Sequence, residues 1–269
     1  GASVVFSTIL CNDSLKNFVK SVLQKIKIKL NLILDETRPT TNKNVIISGQ
    51  YRLLKIDKVD NRGISDEIIF KLKKLLENTK SDAVIFSDFR HGIFHQRSIK
   101  KLVGSIPKKA FKCADSQVAS RWGNITEFEN FDLITPNERE CRFALADQDS
   151  TVGKLSSVLV KKAKCKNLIL KLGNKGVFCT TKSKDTKSPY FSIDSFANKV
   201  VDTVGAGDAL LAYSTLSFVV TNSIVVASII GSLAAACECE VDGNIPITVK
   251  NVISKINELE NSSEYKVDK

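Results

Sequence analysis

The sequence Asp202-Thr203-Val204-Gly205-Ala206-Gly207-Asp208 decides the fold that we predict for this chain, because it reads as a turn from a strand into a helix. Val200 and Val201 precede it as the end of a predicted buried strand, and the apolar run 209–213 is typical of a helix start. The two glycines let the backbone approach a ligand, and the N–H groups of a helix start bind anions. The turn therefore predicts a phosphate-binding site.

Asp208 follows the second glycine and is predicted to lie beside that anion site. A carboxylate there can take the proton from a substrate hydroxyl while the hydroxyl attacks a γ-phosphate. Two glycines also occur in purely structural turns, so the pair alone is weak evidence. We predict Asp208 as the general base, with Gly205, Ala206 and Gly207 holding the charge of the transferring phosphoryl group.

The complete seven-residue string resembles the C-terminal signature of the ribokinase-like, PfkB-type carbohydrate kinases. The resemblance is nearest to the heptose-phosphate kinases, the kinase half of bifunctional kinase/adenylyltransferase proteins. It implies a three-layer α/β/α sandwich with a central, mostly parallel sheet and a small β-lid. It also implies an enzyme that uses ATP and Mg²⁺ to phosphorylate a hydroxyl of a sugar or sugar phosphate.

Length and composition bound the remaining possibilities. With 269 residues, 43% of them hydrophobic, the chain can bury one large core, and we expect a single domain over residues 1–269. No apolar run is long enough for a membrane span and the start is not signal-like, so we expect a cytoplasmic protein without membrane contact. The seven cysteines include no C-x-x-C pair and are expected to be reduced, mostly buried thiols.

The net charge of +11 raises the alternative of nucleic-acid binding. The lysines, however, alternate with apolar residues along predicted amphipathic elements instead of forming one patch. A solvated surface therefore explains them better, and nucleic acid is the least favoured partner.

Residues 28–57 form three predicted short strands, at 28–34, 43–48 and 51–57, without an intervening helix. We predict an antiparallel flap, and in the resembling enzymes a β-lid that closes over the sugar occupies this place in the chain. We also expect a homodimer formed through this lid.

The lid sequence resembles the heptose-phosphate kinases in detail. Arg38-Pro39-Thr40-Thr41-Asn42-Lys43, followed by the segment 50–57 with its glutamine and arginine, is similar to the corresponding stretch of those enzymes. Lys43 and Arg52 are therefore candidate contacts for a substrate phosphate. Ordinary exposed cations on a two-stranded ribbon explain them equally well.

The predicted strand 82–87 ends at Asp88-Phe89-Arg90-His91-Gly92. Ligands collect at the carboxyl ends of strands in open parallel sheets, so Asp88 is a candidate substrate-binding residue. His91 and His95 are four residues apart, but a third ligand does not follow, and surface histidines are the favoured interpretation.

The sequence Thr135-Pro136-Asn137-Glu138-Arg139-Glu140 follows another predicted strand, 131–134, and reproduces the N-x-x-E arrangement of the resembling family. Residues three apart share a helix face, so Asn137 and Glu140 can jointly hold a hydrated Mg²⁺. A capped helix start explains the same pair without a metal. The family order favours the metal. Asp115-Ser116-Gln117 departs from the family's Asp-Pro-Lys, which puts a lysine contact at that point in doubt.

The predicted strand 167–171 leads into Gly173 and Gly176, which resemble the family's G-x-x-G turn beside the nucleotide, although a plain hairpin is an alternative. Lys171, Gly173, Gly176 and the loop residue Gly243 are the candidate ATP-binding residues. The resemblance also places a monovalent cation such as K⁺ near Asp202 and the loop of Gly243.

Two alternatives to a sugar kinase remain at this point: a nucleoside kinase of the same fold, and a non-catalytic kinase-like binding module. The second is considered because the family's N-terminal strand and glycine-rich substrate motif are expected upstream of Gly1. The intact Asp208 favours an enzyme.

Overall fold

The computed structural model describes residues 1–26, 28–49, 51–118, 125–182 and 188–262, and for Arg52 it describes the backbone alone. The chain packs as two compact units. The first unit comprises Gly1–Ser81 and Asp88–Lys109, and the second comprises Asp82–Ser87 and Ala110–Lys269. That the whole chain forms one domain stays a prediction.

The described residues of the first unit form four strands and three helices. They are β1 (Val5–Leu10), α1 (Ser14–Lys25), β2 (Lys29–Leu34), β3 (Asn42–Ser48), β4 (Tyr51–Lys58), α2 (Asp66–Asn78) and α3 (Gln96–Val103). β1 and β2 pair in parallel, and β3 and β4 form an antiparallel ribbon with an irregularity between Ile46 and Ile47. α2 begins after Ser65, whose side chain accepts a hydrogen bond from the N–H of Ile68.

The second unit is built on a six-stranded sheet. Its strands are β5 (Ala83–Asp88, of which Asp88 is counted with the first unit), β6 (Phe111–Ser116), β7 (Leu133–Ile134), β8 (Asn167–Lys171), β9 (Val177–Thr181) and β10 (Tyr190–Ile193). The strand order is β10-β9-β8-β7-β6-β5; β6, β7 and β8 are parallel neighbours, and β9 and β10 continue the sheet antiparallel. The helices are α4 (Glu138–Leu145), α5 (Val152–Ala163), α6 (Ala206–Thr221), α7 (Ile224–Cys239) and α8 (Val249–Ser262).

Alternating strand residues decide where the core of the second unit lies. Cys113, Leu133, Ile169 and Cys179, one from each of four adjacent strands, form a buried cluster with Leu210 and Leu211 of α6. α5 packs against β8 and β9, whereas α6 contacts β6 and α7 contacts β9 and β10. The α/β fold class that the resemblance implied is confirmed.

Most predicted strands and the predicted helix after the glycine turn, α6, are present, whereas α3, α5, α8 and β10 were not anticipated from the sequence. Two details differ from the predictions. β2 pairs in parallel with β1, so the antiparallel ribbon is limited to residues 42–58. Val200 and Val201 are 58% and 49% exposed and lie outside any strand, so the predicted buried strand end is wrong.

The seven cysteines are all free thiols, and five of them are buried. None of the helices in the described part of the chain has the length and apolar character needed to cross a membrane.

Candidate phosphoryl-transfer site

The glycine turn leads directly into α6. Gly205 is the N-cap residue of this helix, with a φ of 88°, and its carbonyl accepts the N–H of Ala209 at 2.9 Å. The first N–H groups of a helix have no partner inside the helix, and they point where an anion can bind. Asp208 lies in the first turn of α6 and is exposed. The segment thus joins a loop, and not the predicted strand, to the helix. The N–H groups at the start of the helix are those that the sequence predicted.

Lys171, at the end of β8, lies against the second glycine of the turn. A Cβ atom built on Gly207 would lie 3.2 Å from Nζ of Lys171, and this ammonium donates to Oδ2 of Asp115 at 2.9 Å. Burial by itself lowers the pKa of Lys171, but the charges of Asp115, Glu140 and Asp208 raise it above the ordinary value of a lysine. A permanent positive charge is therefore held beside the start of α6.

Glu140 is the second buried carboxyl group near Lys171. Burial raises its pKa to about 7; the charge of Asp115 acts in the same direction, and Lys171 and the N–H of Asn137 act against it. The pair predicted as a metal site also forms a capping box: Oδ1 of Asn137 accepts from the N–H of Glu140 at 2.8 Å, and the N–H of Asn137 donates to Oε2 of Glu140 at 2.6 Å. The capping alternative is thus realised, and metal binding stays a prediction.

The carboxylate oxygens of Asp115 and Glu140 are suitable ligands for a magnesium ion. Asp115, in β6, is 6% exposed, and its Oδ1 has no hydrogen-bond partner within the described residues. Asp115 and Glu140 thus supply carboxylate oxygens of the kind that Mg²⁺ prefers. No group of three or more His, Cys, Asp or Glu side chains in the described part of the chain is arranged to hold a metal. A metal bound here would therefore take most of its ligands from water and phosphate oxygens, as Mg²⁺ commonly does.

The end of α7 and the loop after it lie against the other side of the turn. The carbonyl of Cys239 accepts the N–H groups of Val201 and Asp202 at 2.7 and 3.2 Å. A Cβ atom on Gly205 would lie 2.4 Å from Oε1 of Glu238 and 2.7 Å from Oδ1 of Asn244. The end of α7 thus bonds the Asp202 segment, and Asn244, next to Gly243, approaches Gly205. Binding of a monovalent cation by Asp202 and this loop stays a prediction.

Glu238 was not singled out as a site residue from the sequence, although it is the only charged residue in α7. Its burial raises the pKa of its carboxyl group; the backbone N–H of Ile245 acts against this, and the charges of Asp202 and Asp208 act with it. Asp115 was noticed only as a departure from a family pattern, and its pairing with Lys171 was not anticipated.

Gly173 and Gly176 lie in the hairpin that joins β8 to β9, with φ values of 64° and 80°. A Cβ atom on Gly176 would lie 2.0 Å from the carbonyl oxygen of Ile193, so packing within the chain already requires glycine at this position. Around Gly173 and Gly243 (φ 79°) the same Cβ position is open, which leaves room for a ligand. ATP contacts of the three glycines stay predictions.

An open cleft of about 760 Å³ lies on this face of the second unit. Its lining includes Asn137, Lys171 and Gly173, three of the predicted site residues. Arg139 also lines it and lies over the ring of Phe143, 5.6 Å from the ring centroid. Gly176 and Gly243 lie outside the lining of this cleft.

The first unit brings two of the predicted substrate contacts into one region. Nζ of Lys43 lies 5.5 Å from the centroid of the Phe89 ring, next to Asp88 in sequence. Asp88 is 3% exposed, and its carboxylate accepts the N–H of Arg90 at 2.8 Å and faces its guanidinium at 3.3 Å. The side chain of Arg52 lies outside what the structure describes. Substrate binding by these residues stays a prediction.

The family-like sequence before the lid has a structural function. Arg38 donates to Oδ2 of Asp35 at 2.9 Å and to the carbonyls of Arg62 and Gly63 at 3.2 and 3.4 Å. Thr40 donates to Oδ1 of Asp13 at 2.9 Å. These bonds hold the base of the β3–β4 ribbon, so part of the resemblance in this segment is explained by packing.

His91 was expected to be a surface residue, but the structure shows it half-buried. Its Nδ1 is 3.1 Å from Oδ1 of Asn61. Burial lowers its pKa, as does the nearby charge of Lys43, while Asp57 acts against them. These effects favour the neutral form of the His91 imidazole.

Residues 1–250 match the sequence profile described as pfkB family carbohydrate kinase. The chain belongs to the pfkB family. It is therefore a carbohydrate kinase by family, which confirms the resemblance inferred from the glycine turn and makes the protein an enzyme of the transferase class.

Curated relatives of this pfkB-family chain are named bifunctional protein HldE. The protein from Sulfurimonas denitrificans is 25% identical over 269 residues, covering 97% of this chain and 54% of the relative. The one from Marinomonas sp. is 28% identical over 234 residues, covering 84% and 46%. The chain thus spans about half the length of the curated relatives it matches.

Solved structures of other kinases share the fold. Phosphofructokinase-2 from Escherichia coli in complex with potassium superposes with a TM-score of 0.78 at 15% identity, covering 97% of this chain and 83% of that one. Ribokinase from Arabidopsis thaliana complexed with ribose and ATP gives 0.71 at 17% identity, covering 94% and 81%. Identities this low show the fold alone.

Proposed function

We propose that this pfkB-family kinase transfers the γ-phosphoryl group of ATP to a hydroxyl of a sugar phosphate, as the similarity to HldE proteins suggests. The observation that carries the proposal is the position of Lys171. Its ammonium, paired with Asp115, lies against Gly207 in the first turn of α6, and Asp208 follows in the same turn. A cation, a helix start and a carboxylate thus meet at one point of the second unit.

Each group has a distinct task in this reaction. Asp208 takes the proton from the attacking hydroxyl. The N–H groups at Gly205, Ala206 and Gly207 and the ammonium of Lys171 stabilise the charge on the transferring phosphoryl group. Asn137 and Glu140 would hold a hydrated Mg²⁺, which neutralises phosphate charge when bound. A K⁺ ion beside Asp202 would stabilise the conformation of the turn.

The test of this proposal is a screen of ATP consumption against sugars, sugar phosphates and nucleosides. We expect turnover with a phosphorylated sugar. Turnover with nucleosides alone would support a nucleoside kinase, and binding without turnover of any acceptor would support a kinase-like binding module. Retention on heparin at physiological salt would favour a nucleic-acid partner.

Lys43 is proposed to bind the phosphate of the sugar substrate. Replacing it in Lys43→Ala is expected to raise KM for the sugar phosphate about tenfold, with a smaller change in kcat, because a uniform binding contact is lost. Steady-state kinetics at saturating ATP measures this. Lys58→Ala, on the opposite face of the same ribbon, is the matched control. An unchanged KM in Lys43→Ala would show that Lys43 is only a surface cation.

Glu140 is proposed to order the water shell of Mg²⁺. Glu140→Gln is expected to raise the Mg²⁺ concentration for half-maximal activity by about 10–100-fold, and to leave the fold intact because the amide oxygen can still accept the N–H of Asn137. With a pKa of about 7, wild-type Glu140 must lose its proton to bind the metal, so the apparent Mg²⁺ affinity should fall as the pH drops below about 7.

Titrations of Mg²⁺ at pH 6, 7 and 8 separate these effects. Glu138→Gln changes an adjacent carboxylate on the same helix, one that pairs with Arg142, and should behave as wild type. Identical Mg²⁺ titrations of wild type and Glu140→Gln would leave the capping box as the whole function of this residue.

The β3–β4 ribbon is proposed to be covered by a second copy of the chain. Apolar side chains are exposed along it, among them Ile47 at 60%, Tyr51 at 76% and Leu53 at 63%. A two-stranded ribbon is marginally stable alone, and contiguous exposed apolar surface marks an interface. Sedimentation of the wild-type protein at micromolar concentration is expected to give a dimer. A monomer in that experiment would contradict the proposal.

A further inference from the structure

Glu238 carries a burial penalty that the reaction assigned above does not explain. It is 2% exposed, the only charged residue of the otherwise apolar and small-residue helix α7, and its Oε1 has no hydrogen-bond partner in the part of the chain that the structure describes. Burying a polar atom without a partner is unfavourable by about 1–3 kcal/mol. Because an apolar residue at this position would avoid this penalty, we expect the buried carboxyl group of Glu238 to have a function.

The carboxyl group lies directly behind the anion-binding turn. Its Oε1 is 2.4 Å and its Cδ 3.1 Å from the position that a Cβ atom on Gly205 would occupy, and Oδ1 of Asn244 approaches the same position at 2.7 Å. The backbone N–H of Ile245 donates to the carboxyl group. Glu238 thus contacts both Gly205, the N-cap residue of α6, and the loop after α7.

The same end of α7 is bonded to the other side of the turn. The carbonyl of Cys239, the next residue, accepts the N–H groups of Val201 and Asp202. The backbone of α7 therefore holds the chain before the turn, and the Glu238 side chain lies against Gly205 at the start of α6. These contacts together determine where the first N–H groups of the helix point.

We propose that Glu238 is a positioning residue, which holds Gly205 and the Asn244–Ile245 loop so that the N–H groups of the turn face the transferring phosphoryl group. It touches neither substrate nor phosphate in this assignment. The proposal rests on the proposed function for its catalytic consequence, because a displacement of about 1 Å in a catalytic group can lower turnover about 10²-fold. The rigidity of the turn, which the proposal also requires, does not depend on the substrate.

Two variants distinguish the properties of the side chain. Glu238→Leu fills nearly the same volume but cannot accept the N–H of Ile245, and we expect kcat to fall about 10–100-fold with less than about a threefold change in KM for ATP. Glu238→Gln keeps the planar group and its polar atoms and is expected to retain most of the turnover. Cys237→Ala, one residue earlier in α7, is the control for a general loss of stability: its melting temperature is expected to fall, but its kcat should not change.

Amide hydrogen exchange of residues 203–207, measured without any substrate, gives a readout that does not depend on the reaction. We expect exchange at these amides to be about tenfold faster or more in Glu238→Leu than in wild type and Cys237→Ala. Unchanged exchange in Glu238→Leu overturns the proposal, as does an unchanged kcat. A Glu238→Gln variant as impaired as Glu238→Leu also overturns it, because the turn would then require the negative charge. If wild type has no turnover, the proposed function fails, and the exchange result alone decides whether Glu238 positions the turn.

Discussion

Asp208→Asn is expected to lower kcat by about 10²–10⁴-fold and to leave ATP affinity close to that of wild type. Asparagine keeps the size of the side chain and most of its hydrogen bonding but cannot accept the proton of the attacking hydroxyl. ATP is held by backbone N–H groups and Lys171 in our proposal, and removing a negative charge beside them can only favour the phosphates.

The measurement is steady-state turnover with the best acceptor of the screen, combined with calorimetric ATP binding to both proteins. Asp194→Asn, an exposed aspartate of the same unit, is the control and should behave as wild type. Near wild-type kcat in Asp208→Asn, with the chemical step shown to limit the rate, would mean that Asp208 is not the base and that the mechanism is wrong.

Lys171→Met is expected to lower kcat by about 10²–10³-fold, the loss seen when one preorganised group of an oxyanion site is removed. The variant should also be less stable. The side chains of Lys171 and Asp115 are 16% and 8% exposed. Removing one partner of a buried ion pair leaves the other charge unpaired, which lowers the free energy of unfolding by about 3–5 kcal/mol.

A second variant separates catalysis from stability. In Lys171→Met combined with Asp115→Asn the unpaired charge is gone, so the free energy of unfolding should return most of the way to wild type while kcat stays low. Denaturant unfolding and turnover of the same preparations test this. Recovery of kcat in the double variant would show that Lys171 only neutralises Asp115 and makes no contribution to phosphoryl transfer.

An ion pair of the same unit whose lysine is exposed supplies the control. Nζ of Lys166 lies 2.7 Å from Oδ1 of Asp132, but the lysine side chain is 70% exposed. Pairs of this kind contribute about 0–1 kcal/mol, so Lys166→Met should change neither stability nor kcat appreciably.

The glycine turn shows how much of the site could be predicted from the sequence. Gly205 and Gly207 with an apolar run after them predicted a helix start, and α6 begins at Ala206. Asn137 and Glu140, three residues apart, were predicted to act together, and they bond each other. In both cases the interacting groups lie within one or two helical turns, where sequence spacing decides geometry.

The burial of single segments was predicted less well. Val200 and Val201 are apolar and were expected in a buried strand, but they are exposed in the loop before the turn. The strand 28–34 was assigned to the flap because no helix follows it, yet it pairs with β1. Apolar and β-branched composition favours a strand but does not select its neighbour.

The α/β class, the start of a helix directly after Gly205 and membership of a carbohydrate-kinase family followed from the sequence alone, because each depends on residues close together in the chain. Only the tertiary structure decided which distant groups act on that turn. Lys171 pairs with Asp115 across 56 positions, and Glu238 reaches Gly205 from the far end of α7. Both contacts depend on the order of strands in the sheet and on the packing of α7 beside α6, which residue spacing does not encode.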